Sequence, residues 1–169
     1  MLLILVGGLG CQNHTKDLFF FFFFWWLASY NSIPNHVVLG SRGFNLCMSC
    51  EVCGNIVECT IHALRDCPGA KRVWTELGIS STNQAFYDFP LLEWLKSSCN
   101  SSEFYSQPCI PWKMPFPQAL WLIWLQRNKV IFRDGSFDPN VVAHSVKKGA
   151  EFFAIVPKNP KKPRRVLAQ

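Results

Sequence analysis

Read for its apolar and polar positions, the chain opens with two apolar runs, passes through a cysteine-rich middle, and ends in segments of helical period. Residues 1–10 are apolar, and residues 18–28 are apolar again, with six consecutive phenylalanines (Phe19–Phe24) followed by Trp25 and Trp26. Residues 11–17 divide the runs with polar and charged side chains, so neither reaches the about 20 apolar residues that cross a bilayer. Residues 31–45 read as a loop, punctuated by Pro34, Gly40 and Gly43. A short helix is predicted over 59–66. A second begins at Pro68, a favoured first position, and carries Ala70, Val73, Trp74 and Leu77 at helical spacing, with Gly78 as its stop.

Phe86, Phe89, Leu92 and Leu95 predict a helix to about Ser98, with Pro90 marking its start. Residues 99–117 are rich in proline and serine and read as a flexible connector. The strongest period lies over 118–132, where Leu120, Ile123, Trp124, Arg127 and Ile131 share a face ahead of Asp134-Gly135. Asp138-Pro139 opens a last helix to about Ala154, with Val142, Val146, Ala150 and Phe153 on one side. Beyond it, prolines interleaved with cations predict an extended, disordered tail over 156–169.

Charge changes the picture only at one end. The net charge is +6, and residues 147–169 account for all of it, with seven basic side chains and one acid. The rest of the chain is balanced, so the basic character belongs to a tail rather than to the body. Flexible cations release counterions from phosphate without reading sequence, which makes Lys158, Lys161, Lys162, Arg164 and Arg165 candidate contacts to RNA or DNA.

The chemistry concentrates between Cys47 and Cys67, where five of the eight cysteines and one of the four histidines fall. Such density beside a histidine points to metal in a reducing compartment rather than to disulfides. Cys50-x2-Cys53-x8-His62-x4-Cys67 supplies three sulfurs and an imidazole at spacings that a tetrahedral zinc can gather. Gly54 lets the backbone curl under the metal directly after the first pair. An iron–sulfur reading of Cys47-x2-Cys50-x2-Cys53 fails at its fourth position, which is Val57. Four available ligands leave no open position for water. Glu58 does not stand in the histidine-x-glutamate order of a deaminase, so the expectation is a closed, structural site.

The fold class expected is mainly α: a small zinc knuckle with short helices, then two longer helices and disordered connectors. A unit over residues 44–79 buries too little surface to fold alone. Zinc binding, worth about 10–16 kcal/mol in comparable peptides, is of the size needed to hold it. His14, His36 and His144 stand apart from the cluster and read as surface or capping residues, and the tryptophans read as core.

The stretch Cys50-Glu-Val-Cys53-Gly through Glu58-Cys-Thr-Ile-His62-Ala-Leu-Arg-Asp-Cys67-Pro and on to Ala70-Lys-Arg-Val73-Trp74 closely resembles the reverse transcriptase zinc-binding domain of plant non-LTR (LINE-type) retroelement polyproteins. That resemblance implies Cys50, Cys53, His62 and Cys67 as the ligands of one structural zinc ion. Leu122-Ile-Trp-Leu-Gln-Arg127-Asn128-Lys-Val-Ile-Phe132 is similar to the helix that precedes an RNase H domain in the same polyproteins. It suggests a division into an atypical N-terminus (1–17), a zinc-binding domain (18–98, core 44–79), the connector (99–117), a helical segment (118–155) and the basic tail (156–169).

Neither polymerase nor RNase H motifs are found, so the expectation is a non-catalytic, retroelement-derived fragment with no small-molecule substrate, binding nucleic acid weakly through its tail. The alternatives are a zinc-stabilised protein-interaction module, and a membrane-anchored or secreted protein resting on the apolar N-terminus. That N-terminus lacks the early positive charge of a secretory signal. Location in nucleus or cytoplasm is expected, and membrane association is not.

Overall fold

Trp74 is the residue around which the rest is arranged. It is fully buried, and its ring lies 5.3 Å from Phe86, 5.9 Å from Trp94, 6.4 Å from Trp112 and 5.6 Å from Phe116. These are the offset and edge-to-face distances that aromatic pairs favour. Its indole N–H donates to the Leu64 carbonyl at 3.0 Å, so the polar end of the ring is satisfied inside the core.

A computed structural model describes residues 14–45, 47–54, 57–105 and 110–155. The chain is mainly α, as the sequence pattern predicts. Helix α1 spans His14–Ser29, α2 His36–Ser41, α3 Pro68–Glu76, α4 Gln84–Tyr87, α5 Leu91–Asn100, α6 Pro115–Arg133 and α7 Pro139–Ile155. A five-residue π-turn, His62–Asp66, precedes α3. Strands β1 (Phe104–Tyr105) and β2 (Ile110–Pro111) form a short antiparallel ladder in which Phe104 faces Pro111.

The predicted faces are the buried ones. In α3 they are Ala70, Val73 and Trp74, and the helix stops at Gly78, whose φ of 90° suits glycine. In α6, Phe116, Ala119, Leu120, Ile123, Trp124 and Arg127 recur at helical spacing and point inward. Helix α7 packs on both α6 and α3 through Val142, Ala143, Val146 and Ala150.

Four sequence expectations need correction. Residues 31–45 are not all loop: Asn35 caps α2 by accepting the Val38 N–H at 3.0 Å, and its amide donates to Thr60 Oγ1 at 2.9 Å. Residues 99–117 are not merely a connector, because Ile110, Trp112, Pro115 and Phe116 are buried in the core. Helix α6 therefore starts three residues earlier than its period suggests. Pro115 and Pro117 both sit in its first turn, where the amide N–H has no helical partner to lose. Phe86 belongs to a separate short helix, α4, whereas α5 begins directly after Pro90, as expected.

The apolar run at 18–28 lies within helix α1. Phe21, Phe24 and Ala28 are buried, with Phe24 5.3 Å from Trp121 and 6.2 Å from Trp124 of α6. Among the described residues no helix is long and apolar enough to cross a membrane. Residues 1–13 and the tail 156–169 lie outside the described residues.

Candidate metal centre

The turn after Cys50 brings the first pair of candidate ligands, Cys50 and Cys53, together. Gly54 takes φ of 78°, a conformation L side chains disfavour, and its N–H bonds back to the Cys50 carbonyl at 2.7 Å. The N–H groups of Val52 and Cys53 are directed at the Cys50 sulfur. On the other side, the π-turn carries His62, and its closing bond, Cys67 N–H to the His62 carbonyl at 2.8 Å, delivers Cys67 at the start of α3. The Gly69 N–H, in the first turn of α3, bonds to the Cys67 sulfur. A side chain at Gly69 would come within 2.9 Å of Val52, so glycine permits the two halves to meet.

The result is convergence. One ligand atom each from Cys50, Cys53, His62 and Cys67 lies within 4.8 Å of the other three, with Cys53 half-buried and the rest buried. Zinc bonds of about 2.3 Å to sulfur and about 2.0–2.1 Å to nitrogen imply tetrahedral edges of about 3.8 Å between sulfurs and about 3.5 Å between sulfur and nitrogen. Here Cys50 Sγ and Cys67 Sγ are 3.9 Å apart, and Cys53 Sγ and His62 Nε2 are 3.5 Å apart. The donor set and its spacing therefore fit zinc.

Without metal, the two buried sulfurs compete for a proton. The hydrogen bond from Cys67 pulls the Cys50 thiol down to about 3, and the same bond, reinforced by burial, pushes Cys67 up. Cys50 and Cys67 would both be held as thiolates on a divalent cation bound there, which would end that competition.

Cys47 and Cys59 stand outside this group. Cys47 is exposed, and its sulfur sits 3.0 Å from the Ser49 hydroxyl, whose hydrogen bond lowers its pKa. Cys59 is half-buried. Among the described residues, no second group of histidine, cysteine or carboxylate side chains is gathered in this way.

Sequence reasoning missed what supports the knuckle from behind. Glu58 is fully buried and accepts from Arg127 Nε at 2.7 Å and from Arg127 Nη2 in a fork-to-fork pair. The same carboxylate accepts the His36 backbone N–H at 3.3 Å. His36 is no surface residue: it is buried, and its Nδ1–H donates to the Ser49 carbonyl at 2.7 Å, next to Cys50. Arg127 also stacks its guanidinium 4.7 Å over Trp124 and donates to Asn128 at 2.9 Å. One signal was available: an arginine on the apolar face of α6 requires a buried acid opposite it.

Arg65, in the π-turn, plays the corresponding part toward α4 and α5. It donates to both carboxylate oxygens of Asp66 and, at 2.6 Å, to the Phe89 carbonyl, with its guanidinium 5.4 Å over Trp94. The five basic residues singled out in the tail, Lys158, Lys161, Lys162, Arg164 and Arg165, fall outside the described residues.

Comparison with known proteins agrees with this geometry. A family model described as zinc-binding in reverse transcriptase matches residues 14–74, a span that contains all four candidate ligands. An Arabidopsis thaliana protein named as a candidate ribonuclease H protein is 31% identical over 87 residues, which is 52% of this chain and 14% of the relative. The chain thus spans about one seventh of the length of that curated relative. No solved structure matches it significantly. Residues 14–74, which hold the gathered cysteines and histidine toward their C-terminal end, thus match a zinc-binding domain of reverse transcriptases.

Proposed function

We propose that the chain binds one zinc ion through Cys50, Cys53, His62 and Cys67, and that the ion serves structure rather than catalysis. The convergence of these four donors carries the reading. When bound, zinc supplies a fixed tetrahedral joint; four protein ligands leave no open position for substrate or reactive water. The chain's own residues do the rest. Backbone N–H groups steady the sulfurs, Gly54 turns the first pair, and Glu58 with Arg127 ties the turn to α6. We assign the chain no enzymatic activity and no small-molecule substrate. Thiolate ligands of this kind persist in a reducing compartment, which suits the nucleus or cytoplasm.

Nucleic acid is the proposed partner, held without sequence preference by the tail cations Lys158, Lys161, Lys162, Arg164 and Arg165. The family match to reverse transcriptase, a nucleic-acid enzyme, supports the same partner. Five phosphate contacts give a slope of log affinity against log salt of about −3.5 on single strands and about −4.5 on duplex. Fluorescence anisotropy with labelled RNA and DNA at several salt concentrations measures it. Deleting residues 156–169 should flatten the slope to near zero. A variant that keeps both affinity and slope after the deletion would move the contact to the body.

A further inference from the structure

From Leu18 to Ala28 helix α1 is wholly apolar, and only half of that stretch is covered. Phe21, Phe24 and Ala28 face the core, whereas Phe19, Phe20, Phe22, Phe23, Trp26 and Tyr30 are between 46% and 68% exposed. At 3.6 residues per turn these six side chains occupy one continuous face about 160° wide. A helix hydrophobic on every side is ordinarily buried on every side, and an exposed patch of this kind marks an interaction surface.

We propose that this face pairs with the same face of a second copy, giving a two-fold dimer through antiparallel α1 helices. Three observations select that occupant. First, residues 18–30 contain no charged side chain, and the charges α1 carries in its first turn, Lys16 and Asp17, cancel, so the helix has no net attraction for a phosphate backbone or an acidic peptide. Second, the rings form an ordered ladder. Phe19 and Phe23 are 6.2 Å apart with planes 5° apart, Phe23 and Trp26 are 6.0 Å apart, and Trp26 and Tyr30 are 5.3 Å apart. A second ladder run antiparallel can set its rings edge-on against these, the arrangement aromatic pairs prefer. Third, the area is right. At about 200 Å² per aromatic side chain, the six leave about 700 Å² uncovered, and two copies would bury about 1,400 Å² together, within the range of a stable specific interface. Isologous pairing closes on itself and leaves no apolar face of α1 free. A bilayer suits the helix less well, since interfacial helices carry a strongly cationic polar face alongside the apolar one, and the single lysine of α1, Lys16, is offset by Asp17.

Sedimentation velocity of the zinc-loaded full chain, from roughly 1 to 100 µM, tests the proposal. The expected result is a reversible monomer–dimer equilibrium. The double substitution Phe23→Glu/Trp26→Glu should weaken it by roughly a hundredfold or more, with zinc content and circular dichroism unchanged because both side chains face outward. Should that variant misfold, the single change Tyr30→Glu, exposed just beyond the end of α1, must still weaken the dimer. Phe132→Glu, on α6 and also exposed, should leave it intact. A monomer at every concentration overturns the proposal, as does a dimer indifferent to the α1 substitutions or association without limit. Co-sedimentation of monomers with neutral phosphatidylcholine vesicles would assign the face to a lipid surface instead.

Discussion

Replacing Arg127 with methionine is the most informative perturbation of the fold. Arg127 and Glu58 are 69 residues apart in sequence, and their side chains are almost completely withdrawn from water. Methionine keeps much of the volume and a favourable contact with the Trp124 ring. It leaves the Glu58 carboxylate with only the His36 backbone N–H, at 3.3 Å, and the His36 ring nearby. Removing one partner of a buried ion pair costs about 3–5 kcal/mol, because the remaining charge is stranded. With a urea dependence of about 2 kcal/mol per molar, the unfolding midpoint of the zinc-loaded protein should fall by about 1.5–2.5 M.

Adding Glu58→Gln removes the stranded charge while keeping an acceptor for His36, and the double variant should return to within about 1–2 kcal/mol of the parent. Circular dichroism during urea unfolding reads all four corners of the cycle. A loss below about 1 kcal/mol for Arg127→Met would refute the reasoning, as would a double variant no better than the single one. Either result would mean that α6 is not locked to the zinc turn through this pair.

Other consequences follow from the same geometry. Cys67→Ser should abolish stoichiometric zinc binding, whereas Cys59→Ser should leave it intact, as measured by metal analysis of purified protein. Gly54→Ala should cost about 1–2 kcal/mol through backbone strain alone, since a β-carbon there meets nothing within 4 Å; Gly54→Asn should cost less, and thermal unfolding of the zinc form distinguishes them. Trp74→Phe keeps the ring cluster but leaves the buried Leu64 carbonyl without its donor, so a loss of about 1–3 kcal/mol in urea unfolding is expected. Acidification should release the metal as protons reclaim the thiolates, with helicity falling alongside it, as parallel dichroism and dye-release titrations would show.

What could be read from the chain was whatever is encoded locally. The ligand spacing, the glycine after Cys53, and the faces of α3, α6 and α7 all depend on residues within a few turns of one another. Features built from distant residues were not legible. Glu58 reads as an isolated acid until α6 places Arg127 against it, and His36 reads as a loop residue until Ser49 approaches it. Proline and serine hid the buried anchors Ile110, Trp112 and Phe116, because a polar, kinked stretch can still contribute single large side chains to a core. The apolar face of α1 was visible as composition, but which half would be covered depended on where Trp121 and Trp124 lie.

The central claim is that four side chains close around a single structural zinc ion. X-ray absorption at the zinc edge, combined with metal quantification on protein purified with zinc available, tests it most directly. The expected result is one zinc per chain with three sulfurs at about 2.3 Å and one nitrogen at about 2.0–2.1 Å. Substoichiometric metal, or a shell in which water or carboxylate oxygen replaces one of these donors, would contradict it.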